Sequence, residues 1–288
     1  MQPTIEVFAM ANTADTTDML TLSCRRYWFK PVAAFFNALQ LRAYQAARVE
    51  LASPVLDVGC SDGGFGVLLS DAFGKPDHLS GIELLKNALD AAGPEARSLY
   101  REMIHGSATD LPFPDESFQT VTANASLFAI HPGLDTAIAE FHRVLRPGGT
   151  LYVSVCTDRY DQHYWLTRLL HRAGSDCLAR RYADSMNARM MQTHLFSPKE
   201  WQSHLVRGGF VIRQCHGFLS LTDTPFWSFL AWTPLRVNGV LRYISSPSCR
   251  NRVAACYEHL FRKRFEASRE LLPAEDSGYI FIEARKLC

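Results

Sequence analysis

The chain has 288 residues, 47% of them apolar, with a formal net charge of +1 at pH 7. That length suits one α/β domain with embellishments or two small domains, and the apolar share supports a large core. The near-zero charge excludes a global electrostatic pull toward nucleic acid. Eight cysteines, at 24, 60, 156, 177, 215, 249, 256 and 288, contain no CxxC pair, so no metal site is expected. Several fall in apolar runs, where cysteine acts as a small buried hydrophobe; that usage points to a reducing cytoplasm. The N-terminal stretch has neither a basic start nor an apolar core and does not read as a signal peptide. No uncharged apolar run is long enough to predict a spanning helix.

In chain order, residues 1 to about 20 are polar and read as a loose tail. From Tyr27 to Val49, Phe35, Phe36, Leu39, Leu41 and Tyr44 recur at helical spacing. Strand-like runs follow near 54–59, 78–83, 101–105, 118–124, 149–156, 209–216 and 278–285, mostly separated by helical patterns. This alternation predicts a mostly parallel sheet with helices on both faces and ligands at the strand C-terminal edge. Two connections are too long for plain loops: 52 residues after Cys156 and 61 after His216. Both carry helical patterns and read as insertions that shape a substrate pocket. The expected organisation is therefore an N-terminal tail and helical lid (1–50), a core (51–156), a helical substrate insertion (157–208), and two last strands (209–288) with a helical insertion at about 218–276.

The stretch PVLDVGCSDGGFGVLL at 54–69 is a short apolar strand, a glycine-rich turn and the start of a helix. Glycine lets backbone approach a ligand, and the helix end offers free N–H groups. A dinucleotide site wants GxGxxG, whereas serine stands at the second glycine position here. Asp57 precedes the turn and Asp62 lies inside it, and no Lys or Arg occurs between Arg48 and Lys75. Negative charge repels a pyrophosphate and attracts a cation, so the cradle suits a cationic or zwitterionic nucleoside. Glu83 closes the second strand, 26 residues after Asp57, where a carboxylate accepts hydrogen bonds from ribose hydroxyls.

Downstream come GSATDLPFPDESFQTVTANASLF and EFHRVLRPGGTLYVSV, then LFSPKEWQSHLVRGGF and SGYIFIEARK. As an ordered set with VLDVGCSDG, these motifs resemble the type 11 group of class I S-adenosylmethionine (SAM)-dependent methyltransferases, over roughly 54–216 and 277–286. The resemblance implies a Rossmann-like seven-stranded sheet of order 3-2-1-4-5-7-6, with strand seven antiparallel between five and six. It also implies the cofactor SAM. Asp57 and Gly59 would anchor the turn around its methionine part, with Cys60 and Ser61 alongside and Gly63 allowing close approach. Glu83 would bind the ribose and Leu84 pack on the adenine. Ser107 and Ala108 fall at the adenine edge, and Asn124 and Ala125 face the methionine or the transferring methyl. An N-terminal helix closing over SAM would bring Tyr27 or Trp28 to the sulfonium.

Two positions depart from the family pattern. Ser61 replaces a glycine, which implies a backbone angle that serine tolerates. Ser107 replaces an aspartate; serine accepts a weaker hydrogen bond than a carboxylate, and Asp110 is the neighbour expected to help. Phe128 and Ala129 stand where the family often has a polar pair, which makes the acceptor side apolar. His131, after the fourth strand, and His194, where the first insertion returns, are the candidate catalytic bases, against the plainer reading of each as a satisfied structural histidine. Tyr160, His163 and Tyr164 are candidates for the acceptor pocket. Arg143 to Gly149 reads as a structural helix end.

The second insertion carries Phe226, Trp227, Phe229, Trp232 and Tyr243, and from Arg236 to Arg269 it has eight Lys or Arg against Glu258 and Glu266. A helical lid with a solvated basic face competes there with contact to an amphiphilic substrate or a membrane surface. The expected partner is a small or medium hydrophobic acceptor of a methyl group on O, N or C. A SAM-binding protein with other chemistry, an NAD-linked oxidoreductase and an RNA or protein methyltransferase are the alternatives. The acidic turn counts against NAD. Charge balance and the lack of an Asn-Pro-Pro-Tyr-like motif after the fourth strand count against macromolecular acceptors.

Overall fold

The structure is a computed structural model that describes residues 18–232, 246–268 and 271–287. Seven strands form one sheet: β1 (Val55–Val58), β2 (Leu79–Glu83), β3 (Glu102–His105), β4 (Phe118–Asn124), β5 (Leu145–Cys156), β6 (Phe210–Ser220) and β7 (Ser277–Lys286). Their order is β3-β2-β1-β4-β5-β7-β6. The first five are parallel, and β7 runs antiparallel between β5 and β6. This is the expected class and order. β1 and β2 are buried along their whole length, as strands covered on both faces must be.

The N-terminal region differs from the expected tail and single helix. Helix α1 (Met19–Arg26) begins at Asp18, whose carboxylate accepts from Leu20 N at 3.0 Å, an N-cap bond. Helix α2 (Pro31–Ala46) starts on a proline, which lacks only an N–H that would be unpaired there. The break between them turns Tyr27, Phe29 and Lys30 toward the strand ends. Residues 1–17, the greater part of the expected tail, lie outside the described residues.

Helices α3 (Gly64–Phe73), α4 (Lys86–Asp90), α5 (Pro94–Leu99) and α6 (Leu134–Val144) link the parallel strands. The connection after β5 is helical, with α7 (Trp165–Arg172), α8 (Asp176–Arg189) and α9 (Pro198–Arg207); Ser197 and Glu200 cap α9 reciprocally. β6 extends to Ser220, so the helical part of the second insertion starts only at α10 (Thr224–Trp232); α11 (Pro247–Ala267) is its other described helix. Pro234, Arg236 and Tyr243 lie outside the described residues. Part of the basic run is structural: Arg262 pairs with Asp18 and Glu258, and Arg264 Nε donates to Asp223 at 2.8 Å. Arg42 lies 4.2 Å over the Phe265 ring. These contacts strap α11 onto α1 and α2.

Arg143 closes α6 as a brace. It donates to Glu140 at 2.7 Å, to Asp115 at 2.8 Å, and to the carbonyls of Phe113 and Leu111 at 2.8 and 3.0 Å. Among the described residues, no helix is long and apolar enough to cross a membrane, and no group of three His, Cys, Asp or Glu is placed to hold a metal.

Candidate functional site

One cavity of about 600 Å³ opens at the strand C-terminal edge. Its first wall is the turn after β1. Gly59 (φ +76) packs so closely on the loop after β4 that an added Cβ would lie 2.5 Å from Ser126 Cβ. Gly59 N and Cys60 N both donate to Ile82 O, at 2.8 and 3.2 Å, which ties the turn to β2. Ser61 sits at φ +52, in the left-handed region where a residue with Cβ pays about 1–2 kcal/mol. Serine has thus kept the glycine conformation at a cost, where a tolerant angle was expected. Its N–H compensates by donating to Glu83 Oε2 at 2.9 Å.

Glu83 is 9% exposed and forms the second wall. Its Oε1 accepts from Leu85 N at 2.8 Å, so backbone donors orient both oxygens while the carboxylate still borders the cavity. Leu84, 64% exposed, and Leu85 offer apolar surface beside it. Ser107 Oγ and Thr109 Oγ1 lie 2.7 Å apart, and Thr109 N donates to Ser107 Oγ at 3.2 Å. Ser107, Ala108 and Thr109 all line the cavity; Asp110 is exposed and does not. Thr109, rather than Asp110, is the polar neighbour of Ser107.

Beneath the turn, burial pushes the Asp57 carboxyl above its ordinary value. Tyr100 OH and Thr122 Oγ1 offset this by donating at 2.6 and 2.9 Å. Asn124 also lies beside Asp57 and opposes the rise, although its Nδ2 reaches no partner in ordinary hydrogen-bond geometry. Asn124 Oδ1 accepts from Tyr44 OH and from Gln40 Nε2, so α2 holds the end of β4. Ala125 follows at φ +51, its N–H donating to Ser154 O at 3.0 Å. Burial, then the charges of Asp57 and Glu83, raise the Cys60 thiol, which keeps it neutral. Tyr27 roofs the turn; burial and then Asp62 push its hydroxyl up as well.

The cavity therefore gathers Tyr27, Asp57, Gly59, Cys60, Ser61 and Glu83 with Leu84, Ser107, Ala108, Asn124, Ala125 and His131. Among the residues expected to anchor the cofactor turn or to act as a base, it leaves out Gly63 and His194. Gly63 (φ +73) caps α3 and faces α5, where an added Cβ would meet Ala96 Cβ at 2.6 Å; its freedom serves packing rather than a ligand. His194 donates from Nε2 to Ile130 O at 2.9 Å and stacks on Phe196, behind His131, with ring centroids 5.3 Å apart.

The far end of the cavity is apolar. Phe36 and Tyr279 meet edge to face at 4.8 Å; Trp227 lies 6.3 Å from Phe36, and Phe128 lies 6.0 Å from Tyr279. Met190, Met191, Ala129 and Ile130 complete that end. Tyr160, His163 and Tyr164 do not line it. Tyr160 packs edge-on behind Tyr279 at 4.8 Å, and Tyr164 OH bonds Asn187 and Gln192 at 2.8 and 2.9 Å. Trp28 points elsewhere, 5.4 Å from the Arg250 guanidinium. Sequence reasoning missed Phe29, Lys30, Met190, Met191 and the role of Tyr279. The sequence held only one signal for any of them, the aromatic content of the flanking segments.

Residues 55–149 match the family described as a methyltransferase domain. A demethylmenaquinone methyltransferase of Bacillus licheniformis is 36% identical over 109 residues, 38% of this chain and 47% of that protein. A fatty-acid O-methyltransferase of Mycolicibacterium smegmatis is 31% identical over 159 residues, 55% of this chain and 57% of that protein. The chain thus spans about half the length of the curated relatives it matches. The structure is similar to the [4+2]-cyclase SpnF, with a TM-score of 0.54, 24% identity, and 88% of this chain and 82% of that one covered. It is also similar to geranyl diphosphate C-methyltransferase from Streptomyces coelicolor, with a TM-score of 0.54, 18% identity, and 88% and 78% covered. Likeness of that order is a likeness of fold. Residues 55–149 match a methyltransferase domain, and the seven-stranded fold around them is similar to that of solved methyltransferases.

Proposed function

We propose that the protein is a SAM-dependent methyltransferase acting on O, N or C of a small or medium hydrophobic molecule. The observation that carries this reading is a single cavity with a carboxylate-lined end at the β1 turn and an aromatic, thioether-lined end under the insertions. The residues at the first end fit the cofactor. Glu83 has lone pairs left for a ribose diol. Leu84 and Leu85 offer a flat apolar bed beside Ser107 and Thr109. Asp57, Asp62 and Glu83 supply negative charge for a cation, and none of the turn residues is basic. When bound, SAM supplies an electrophilic methyl on a positively charged sulfur. Gly59, Cys60, Ser61, Asn124 and Ala125 hold its amino-acid part. Tyr27 covers it and excludes water.

The chain's own contribution is alignment, which is worth roughly 7–11 kcal/mol when a reacting pair is held in line. The Phe36, Phe128, Trp227 and Tyr279 surface holds the acceptor's apolar body. His131, on the cavity wall, takes the proton from a phenol or enol acceptor; a carboxylate or free amine needs no base. His194 holds the carbonyl of Ile130 and so positions His131. The relatives' acceptors, a demethylmenaquinone and a fatty acid by name, are of the class this end suits. Peripheral contact with an anionic membrane is part of the reading: α11 exposes Arg252 and Lys263. Co-sedimentation with phosphatidylglycerol vesicles, and none with phosphatidylcholine, is the expected outcome.

Calorimetry with SAM, S-adenosylhomocysteine and NAD, followed by transfer from methyl-labelled SAM to quinol, fatty-acid, RNA and protein fractions, tests the proposal. Binding of the two sulfur nucleosides but not NAD, with label in the lipid-soluble fraction, supports it. Binding without any labelled product points to the second reading, a SAM-binding protein of non-methylating chemistry. The fold leaves that reading open, because it is shared with a cyclase.

A further inference from the structure

Helix α8 ends in a glycine-type cap that contains no glycine. Gln192 N donates to Asn187 O at 2.9 Å and Met191 N to Ala188 O at 3.2 Å. These are the paired bonds of a helix closed by a left-handed residue, usually glycine. The left-handed residue here is Met191, at φ +54. Its side chain gains little from the fold, since it is 51% exposed. With Met190 it lines the apolar end of the cavity. Backbone strain retained at a cavity wall points to a use for the side chain.

The cap is anchored on both flanks. Phe128 O, in the loop after β4, accepts from Thr193 Oγ1 at 2.8 Å, Thr193 N at 3.2 Å and His194 N at 3.1 Å. On the other flank, Gln192 Oε1 accepts from Tyr164 OH at 2.9 Å, and Gln192 Nε2 donates to Tyr279 OH at 3.1 Å. Residues 192–194 are thereby tied to two walls of the cavity, while Met191 stays half-exposed at its edge. Methionine adapts to a flexible apolar partner where a rigid ring would impose one shape.

We infer that Met190 and Met191 are the specificity-determining wall of the acceptor end. They limit how far an unbranched apolar chain extends from the methylated group. Thr193 is a positioning residue that holds this wall through Phe128 O. The inference rests on the methyltransferase reading and narrows its acceptor to a chain-bearing amphiphile.

The test uses the full chain, native and as Met191→Gly, Met190→Ala and Thr193→Val. Octanoate, laurate and palmitate are titrated into protein saturated with S-adenosylhomocysteine, and melting is followed in parallel. Glycine suits the left-handed cap, so Met191→Gly is expected to melt no lower than native and to bind S-adenosylhomocysteine unchanged. The affinity ratio of palmitate to octanoate is expected to rise at least about fivefold, the worth of one to two methylenes given room to bury. Met190→Ala shifts the ratio in the same direction, and Thr193→Val weakens all three acids without changing nucleoside affinity. An unchanged ratio in a stable, nucleoside-binding Met191→Gly overturns the inference. So does failure of every acid to bind the loaded native protein. Failure of the native protein to bind S-adenosylhomocysteine overturns the methyltransferase reading itself, and the wall falls with it.

Discussion

The N–H of Ser61 donates to Glu83 Oε2 across 2.9 Å. This one bond joins the turn after β1 to the end of β2, and it fixes a carboxylate at the cavity while relieving a strained serine. Both residues then carry predictions.

Replacing Glu83 with alanine removes the proposed ribose acceptor. Hydrogen bonds to a charged group are worth about 1.5–3 kcal/mol, so S-adenosylhomocysteine affinity is expected to fall by about one to two orders of magnitude. Glu83→Gln keeps the shape but loses the charge and lies between the two. Calorimetric titration measures both, and affinity unchanged in Glu83→Ala removes Glu83 from the site.

Ser61→Gly relaxes a left-handed residue. Relief of about 1–2 kcal/mol is partly offset by the greater freedom of glycine in the unfolded chain, about 0.5–1 kcal/mol. Thermal melts are expected to show equal or slightly higher stability, with nucleoside affinity kept. A clear drop in melting temperature contradicts this account of the turn.

His131 and His194 separate by role. His131→Ala is expected to lower turnover of a phenolic acceptor sharply, leaving nucleoside affinity intact. His194→Ala loses the bond to Ile130 O and is expected to cost about 1 kcal/mol of stability, with a much smaller loss of turnover. Equal losses of turnover at equal nucleoside affinity contradict the assignment.

Glu140 gives an acid-stability signature. The Arg143 guanidinium bonded to it, helped by Leu111 N, holds its carboxyl below the ordinary value of 4.5. A depressed carboxylate contributes stability above its unfolded value and loses it as pH falls through the folded one. Glu140→Gln is expected to lower stability at neutral pH by about 1 kcal/mol or less, given its partial exposure. It also flattens the decline below pH 4.5, as denaturant melts across that range show. An unaltered acid limb contradicts the brace.

The proposed cofactor end was suggested by the residue order because its chemistry is local. A strand, a glycine turn and a helix start lie within 54–69, and the acid at 83 closes the next strand; parallel pairing of β1 and β2 then brings them together. The same alternation of strand and helix patterns fixed the fold class. Residue type alone did not show that Gly63 packs against α5 or that His194 bonds Ile130 O, both off the cavity wall.

The acceptor end was decided by tertiary structure. Phe36, Phe128, Met191, Trp227 and Tyr279 come from five separate segments, and no spacing rule links them. They meet because β7 inserts between β5 and β6 and because the α8 cap is latched to Phe128. Phe128 and Trp227 stood out in the sequence, but nothing there set Phe36, Met191 or Tyr279 apart from other apolar positions. A cavity exists there because packing of the whole sheet edge brings them around one space.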